Sequence, residues 1–107
     1  MKYFKRKRKF KVSQNSKNYN IDCGSIKLNN NEQVTFKFNK KNYDFCQKQW
    51  GFYVSASINS RLKKEGFKIG LFKNKKNRRY ICAVDKDKKI IFQNFLKNTN
   101  HKLLKWL

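Results

Sequence analysis

The sequence contains no proline and is poor in glycine, cysteine, histidine and carboxylates. Among its 107 residues are four Gly, three Cys, one His and six Asp or Glu. No apolar run approaches the length of a membrane-spanning helix, and Met1 to Phe10 lacks the hydrophobic segment of a secretory signal. We therefore expect a protein without a transmembrane segment that is not exported.

The three cysteines are Cys23, Cys46 and Cys82, an odd number whose wide spacing does not match a zinc knuckle. Their flanking sequences are typical of strands, where a free Cys behaves as a small buried hydrophobic residue. We predict reduced and mostly shielded thiols that bind no metal. The corresponding compartment is a reducing one, either the cytoplasm or an organelle matrix.

Signatures of catalysis are nearly absent. His101 is the single histidine, so neither a Ser-His-Asp nor a Cys-His arrangement can be assembled around it. Asp85 and Asp87 are too few for a hard-cation site, which usually recruits more carboxylates. The glycines form no phosphate-cradling loop. They are Gly24, Gly51, Gly66 and Gly70. We predict no enzyme, no catalytic residue, no cofactor and no metal.

Charge is the dominant property of this sequence. Twenty-eight Lys and Arg against six acids give a formal net charge of +22. The abundance of Lys, Asn, Ile, Phe and Tyr is typical of an A/T-rich genome, but codon drift would retain acids as well as Arg. Because self-repulsion on this scale opposes compaction, a polyanion would stabilise the protein. The acid deficit therefore predicts a nucleic-acid partner.

Three basic clusters are candidate phosphate contacts, since Lys and Arg neutralise a nucleic-acid backbone irrespective of its sequence. The first is an N-terminal arm, the second the face of a short helix, and the third the tip of a hairpin. Their predicted nucleic-acid-binding residues are Lys5, Arg6, Lys7, Arg8, Lys9 and Lys11; Arg61, Lys63 and Lys64; and Lys73, Lys75, Lys76, Arg78 and Arg79.

RNA is favoured over DNA because no helix-turn-helix, zinc-finger or bZIP pattern is present and the basic residues occur in several separate segments. Arg78 and Arg79 have the chemistry to grip phosphates or to stack on unpaired bases. The aromatic residues of the arm have two interpretations. Tyr3, Phe4 and Phe10 either stack on bases or dock on the core of the protein.

The patterning predicts an α+β fold. We expect a basic arm over residues 1–17 and a single domain over residues 18–107, with an antiparallel sheet of about five or six strands. The clearest strand signal is the alternation of Val34, Phe36 and Phe38. A short central helix follows Ser57 and ends at Gly66, and Ile91 to Leu96 have the spacing of a second, C-terminal helix.

In composition the chain is similar to small ribosomal proteins, with a basic extension, a compact body and a basic loop, but it contains no family motif. This favours a structural RNA-binding protein, such as a subunit of a ribosome or another ribonucleoprotein with neighbouring proteins as partners. Two alternatives remain open. One is a phage or chromosomal DNA-binding or DNA-packaging protein, and the other a peripheral assembly protein that binds an anionic membrane or an acidic partner.

Overall fold

A computed structural model describes residues 1–12 and 19–107 of the chain. This part contains eight β-strands, two α-helices and a short 3-10 helix. The strands are β1 (Lys2–Lys11), β2 (Tyr19–Lys27), β3 (Gln33–Phe38), β4 (Lys41–Lys48), β5 (Gly51–Val54), β6 (Phe67–Lys73), β7 (Arg79–Asp85) and β8 (Lys102–Trp106). The helices are α1 (Arg61–Glu65) and α2 (Lys89–Asn98), and the 3-10 helix is Lys86–Lys88.

The predicted single sheet of five or six strands is wrong. The protein is mostly β, and the described strands form three small sheets. Their strand orders are β1-β2, β3-β4-β5 and β7-β6-β8. Alternation along the sequence indicates which segments are extended, but strand pairing depends on contacts between distant segments and is not visible in local pattern.

The chain divides into two compact units. One comprises Met1–Val34 and Phe45–Val54, and the other comprises Thr35–Asp44 and Ser55–Leu107. The first unit contains β1, β2 and β5, while the second contains both α-helices and the β7-β6-β8 sheet. The boundary predicted between residues 17 and 18 lies outside the described residues.

The N-terminal segment is not an unpaired extension as the sequence indicated, because Lys2–Lys11 form a strand paired antiparallel with β2. The register of the two strands shifts between the pairs Lys5/Gly24 and Arg8/Asp22, where β1 has one more residue than β2. Gly24 has φ +127°, and a Cβ atom there would collide with the Phe4 carbonyl oxygen. Glycine is therefore required where the two strands approach.

Strand β6 organises the core of the second unit, and its side chains contribute to two apolar clusters. Phe67 and Ile69 belong to one cluster, and Phe72 belongs to the other. The remaining buried members are Ala56 and Leu62 in the first cluster, and Val84, Phe92 and Leu96 in the second. Burial of each large apolar side chain contributes about 1.5–3 kcal/mol. The β6–β7 hairpin was correctly predicted, and it rests on this core.

Helix α1 ends at Gly66 as predicted, with the glycine in the left-handed conformation at φ 90°. Its beginning differs from the prediction. Ser57 caps the preceding turn, where its Oγ accepts a hydrogen bond from the Arg61 amide at 2.8 Å. Residues 58–60 form a turn and not a helix, so the four-residue spacing of Ile58 and Leu62 does not place both in the core. Ile58 is exposed and Leu62 is buried.

The aromatic segment before α1 forms strand β5, and its side chains are largely exposed. Phe52 and Tyr53 are 63% and 49% exposed. The C-terminal helix is confirmed as α2, with Phe92 and Leu96 buried on one face while Ile91 and Phe95 are exposed. The last apolar cluster of the sequence forms strand β8, an element that sequence analysis missed, and pairs antiparallel with β6.

Candidate nucleic-acid interface

Strands β1 and β2 form a basic two-stranded ribbon. All ten residues of β1 are exposed, and the two strands together carry eight Lys or Arg and one carboxylate. The predicted arm residues therefore share one structural element. They are Lys5, Arg6, Lys7, Arg8, Lys9 and Lys11.

The single carboxylate of the ribbon, Asp22, is committed to arginine. Its Oδ2 lies 2.8 Å from Arg6 Nε and 3.5 Å from Arg8 Nη2, and its Oδ1 accepts from the Gly24 amide at 3.0 Å. The hydrogen bond from Arg6, followed by that from Gly24, lowers the pKa of Asp22. In the described part of the chain, no ion pair involves the four lysines of the predicted cluster. These are Lys5, Lys7, Lys9 and Lys11.

Aromatic side chains are interleaved with these cations. Tyr3, Phe4 and Phe10 are 55%, 51% and 36% exposed, so none of these three rings is buried. The Arg8 guanidinium lies over the Phe10 ring at 5.2 Å, and the Lys9 ammonium lies over Tyr19 at 4.6 Å. Such a surface presents positive charge for phosphates and ring faces on which bases can stack.

The ribbon also carries Cys23, which is exposed. The prediction that the three thiols are mostly shielded is therefore wrong for Cys23. Cys46 is buried as predicted, and Cys82 is partly buried. Burial raises the pKa of the Cys82 thiol, which favours the unreactive protonated form.

The hairpin tip between β6 and β7 is a preorganised turn. The Asn74 side-chain oxygen accepts from the backbone amides of Lys76 at 3.0 Å and Arg78 at 2.9 Å. Asn77 adopts φ 62°, and its amide donates to the Asn74 carbonyl at 3.1 Å. These bonds fix the backbone on which the predicted Lys75 and Arg78 are mounted, so phosphate contact there orders little additional backbone.

A row of three cations crosses the sheet beside this turn. Lys73 on β6 lies directly opposite Arg79 on β7 and Lys102 on β8. Directly opposed residues share a sheet face with Cβ atoms about 4.5–5.5 Å apart, and like charges so placed destabilise the pairing. Lys102 was missed by sequence analysis, because its place in the row depends on the unpredicted pairing of β8 with β6.

The three predicted binding residues of α1 differ in their contacts. The Arg61 Nη2 atom lies 3.1 Å from Oδ2 of buried Asp44, whose Oδ1 accepts from the Thr35 hydroxyl at 2.6 Å. Arg61 thus stabilises the fold. Lys63 and Lys64 are exposed in the last turn of α1. Because β6 separates α1 from the tip by seven residues, about 20 Å of strand, these lysines and the tip are distinct sites.

No group of three or more His, Cys, Asp or Glu within residues 1–12 and 19–107 could hold a metal ion. Over the same residues, no helix has the length and apolar character needed to cross a membrane. No protein-family model matches the chain, and comparisons with curated proteins and with solved structures found no match. The basic surfaces of the protein are therefore the guide to its function.

Proposed function

We propose that the protein binds nucleic acid through the β1–β2 ribbon, with RNA as the favoured partner. The observation that carries the proposal is the exposure of every β1 residue on a ribbon with eight cations and one carboxylate. Two arginines share that carboxylate. The lysine charges therefore have no internal partner of opposite sign on the ribbon, and a phosphate backbone would supply one.

Single-stranded or looped RNA fits the ribbon best because its unstacked bases can reach aromatic side chains. Base stacking on an aromatic residue contributes about 1–3 kcal/mol and tolerates any base sequence. Tyr3, Phe4, Phe10 and Tyr19 are all exposed on the ribbon. We propose that the preorganised hairpin tip of the second unit also contacts phosphate.

The proposed role is structural and not enzymatic, as a subunit of a ribosome or another ribonucleoprotein in the cytoplasm or an organelle matrix. Neighbouring proteins of such a particle are further proposed partners. This role accords with the high positive charge, since folded RNA surrounds its proteins with phosphate on several sides.

Duplex DNA is the second candidate partner, and the ribbon itself is the observation that favours it. The major groove of B-form DNA admits a two-stranded β-ribbon. Aromatic side chains distinguish the two candidates. They contribute to binding where bases are unstacked, and contribute little against the closed stack of a duplex.

A competition experiment tests the proposal. A labelled single-stranded RNA bound to the purified protein is displaced by unlabelled RNA, by duplex DNA of equal length, or by vesicles containing anionic lipid, at one fixed salt concentration. We expect RNA to compete at the lowest concentration. Stronger competition by duplex DNA would favour the second candidate, and stronger competition by vesicles would contradict nucleic-acid binding as the function.

A further inference from the structure

Trp106 occupies a fixed position on one face of the β7-β6-β8 sheet. It lies opposite Gly70 of β6, where a Cβ atom would be 3.1 Å from the indole Cζ3 atom. The Phe92 ring of α2 packs beside it with ring centroids 5.7 Å apart. The absence of a side chain at Gly70 thus admits the indole, and Phe92 and the sheet hold it in place.

Two lysine side chains converge on this indole. Lys68 Nζ lies 5.3 Å and Lys89 Nζ 5.9 Å from the ring centroid of Trp106. The Lys68–Lys89 interaction is the main cause of a lowered pKa of Lys68, with smaller effects from desolvation and from Lys63. Two cations attracted to one ring therefore repel each other.

Within residues 1–12 and 19–107, no carboxylate forms an ion pair with either lysine. Across the described residues, the ion pairs formed by carboxylates involve Asp22, Glu32, Asp44 and Asp85, and neither Lys68 nor Lys89 takes part in them. Lys89 is also the first residue of α2, a ten-residue helix with no acid in its first turn. Asp87 lies two residues before Lys89 in the preceding 3-10 helix, and it forms no ion pair with either lysine.

We propose that Lys68 and Lys89, held over Trp106, form a binding site for a phosphate group. A phosphate dianion between the two ammonium groups accepts hydrogen bonds from both and replaces their repulsion with attraction. The phosphate belongs either to a nucleic-acid backbone or to a small phosphorylated molecule. The site does not rest on the ribbon, because its residues lie in the second unit of the chain.

Inorganic phosphate is the first probe, measured by Trp106 fluorescence in a Trp50→Phe background. The sequence has two Trp residues, so this change leaves Trp106 as the single tryptophan emitter. Titration with phosphate at constant ionic strength, set with chloride, should give a saturable change in emission. Replacing Lys68 or Lys89 with Gln should weaken phosphate binding about tenfold, as expected for loss of one charge-assisted hydrogen bond.

The matched control is Lys97→Gln, which removes an exposed lysine from the other end of α2. It should leave phosphate affinity unchanged. A second readout guards against misfolding, since phosphate should raise the melting temperature of the unsubstituted protein but not that of the Lys68→Gln variant. No saturation by phosphate, or an equal loss of affinity in the Lys97→Gln control, would overturn the site.

Single-stranded RNA separates the two sources of the phosphate group. If the site takes a backbone phosphate, the Lys68→Gln variant should lower the slope of log affinity against log salt by about 0.7, the change for one contact on a single strand. If it takes a small phosphorylated molecule, RNA affinity should not change while phosphate binding is lost. Because phosphate binding is measured without RNA, failure of the ribbon proposal would not affect it.

Discussion

The β1–β2 ribbon and the β6–β7 hairpin are both antiparallel pairs rich in Lys and Arg, yet their support differs. Strand β6 contributes to two apolar clusters, whereas every residue of β1 is exposed. An isolated two-stranded pair is at best marginally stable in water. Pairs of similar basic composition can therefore rest on a packed core or depend mainly on strand pairing, and we expect the second kind to be less stable.

The two pairs also differ in how they balance charge. On the ribbon, Asp22 bridges Arg6 and Arg8. At the hairpin tip, Lys73 lies between Arg79 and Lys102, with no carboxylate paired to any of the three in the described part of the chain. The hairpin thus carries directly opposed cations with no carboxylate paired to them, whereas two arginines of the ribbon share one.

The largest expected effect is on stability and separates the two regions most clearly. Phe72 on β6 is 5% exposed and packs against Phe92 with ring centroids 6.0 Å apart. Replacing Phe72 with Ala should lower the free energy of unfolding by about 3–5 kcal/mol. Replacing the exposed Phe4 of β1 with Ala should change it by less than about 0.5 kcal/mol. Urea unfolding of both variants measures the difference, and comparable losses would show that β1 belongs to a packed core.

A smaller loss of stability is expected at Gly24, where the absence of a side chain permits β1 and β2 to approach each other. Replacing Gly24 with Ala introduces a Cβ that collides with the Phe4 carbonyl oxygen, at a cost of about 1–3 kcal/mol for the strained backbone. Because the ribbon is marginal, amide hydrogen exchange in β2 should become fast, while exchange in β6 and β7 stays slow.

Gly51 provides the matched control for this prediction. It also has positive φ, at +141°, but an added Cβ would have no neighbour within 4 Å. Its replacement with Ala should leave exchange in β2 unchanged. Equal acceleration by both variants would mean that backbone strain alone, and not the close approach at Phe4, controls the ribbon.

A gain in stability is expected at the cationic row. Replacing Lys73 with Gln removes a charge that lies opposite Arg79 and Lys102, so the protein should become more stable by about 0.2–1 kcal/mol. RNA affinity should fall in the same variant if the tip contacts phosphate. In this one variant the melting temperature should therefore rise while the affinity for RNA falls. A loss of stability would contradict the repulsive arrangement.

The smallest expected effect is on the melting temperature of the protein at low pH. The hydrogen bond from Lys41, 2.7 Å away, and then that from the Asp87 amide lower the pKa of Asp85 in the second unit, as Arg6 does for Asp22 on the ribbon. A carboxyl group with a lowered pKa in the folded protein contributes its full stability above the ordinary pKa of about 4 and loses that contribution as pH falls from there through the lowered pKa. The melting temperature should be flat above this range and fall below it. The Lys41→Gln variant should show a shallower fall, and an unchanged fall would exclude this ion pair as a source of the pH dependence.

Local elements were more predictable from the sequence than their assembly. The β6–β7 hairpin, the C-terminal helix and the left-handed Gly66 follow from alternation, four-residue spacing and a glycine beyond a helix end, all of which are local. Strand β1 was missed because KYFKRKRKFK has no alternation of apolar and polar residues. Its extended structure depends on pairing with β2, which follows later in the chain, and a local sequence pattern does not indicate that pairing.

The candidate site shows the same division between local and distant information. The basic clusters were visible as runs of Lys and Arg, but the roles of individual residues were not. Arg61 is bound to Asp44, seventeen residues away in the sequence. Lys102 lies beside the tip because β8 pairs with β6. Lys68 and Lys89 lie over Trp106 because β6, α2 and β8 bring these three residues together.

The central claim, that the ribbon is the nucleic-acid surface, is tested most directly by salt-dependent RNA binding of two matched variants. One replaces Lys5, Lys7, Lys9 and Lys11 with Gln. The other replaces four exposed lysines elsewhere, Lys40, Lys86, Lys88 and Lys97. The ribbon variant should reduce the slope of log affinity against log salt by up to about 3, at about 0.7 per lost contact on a single strand, while the control slope stays close to that of the unsubstituted protein. Equal reductions in the two variants would show that binding is diffuse and would contradict the claim.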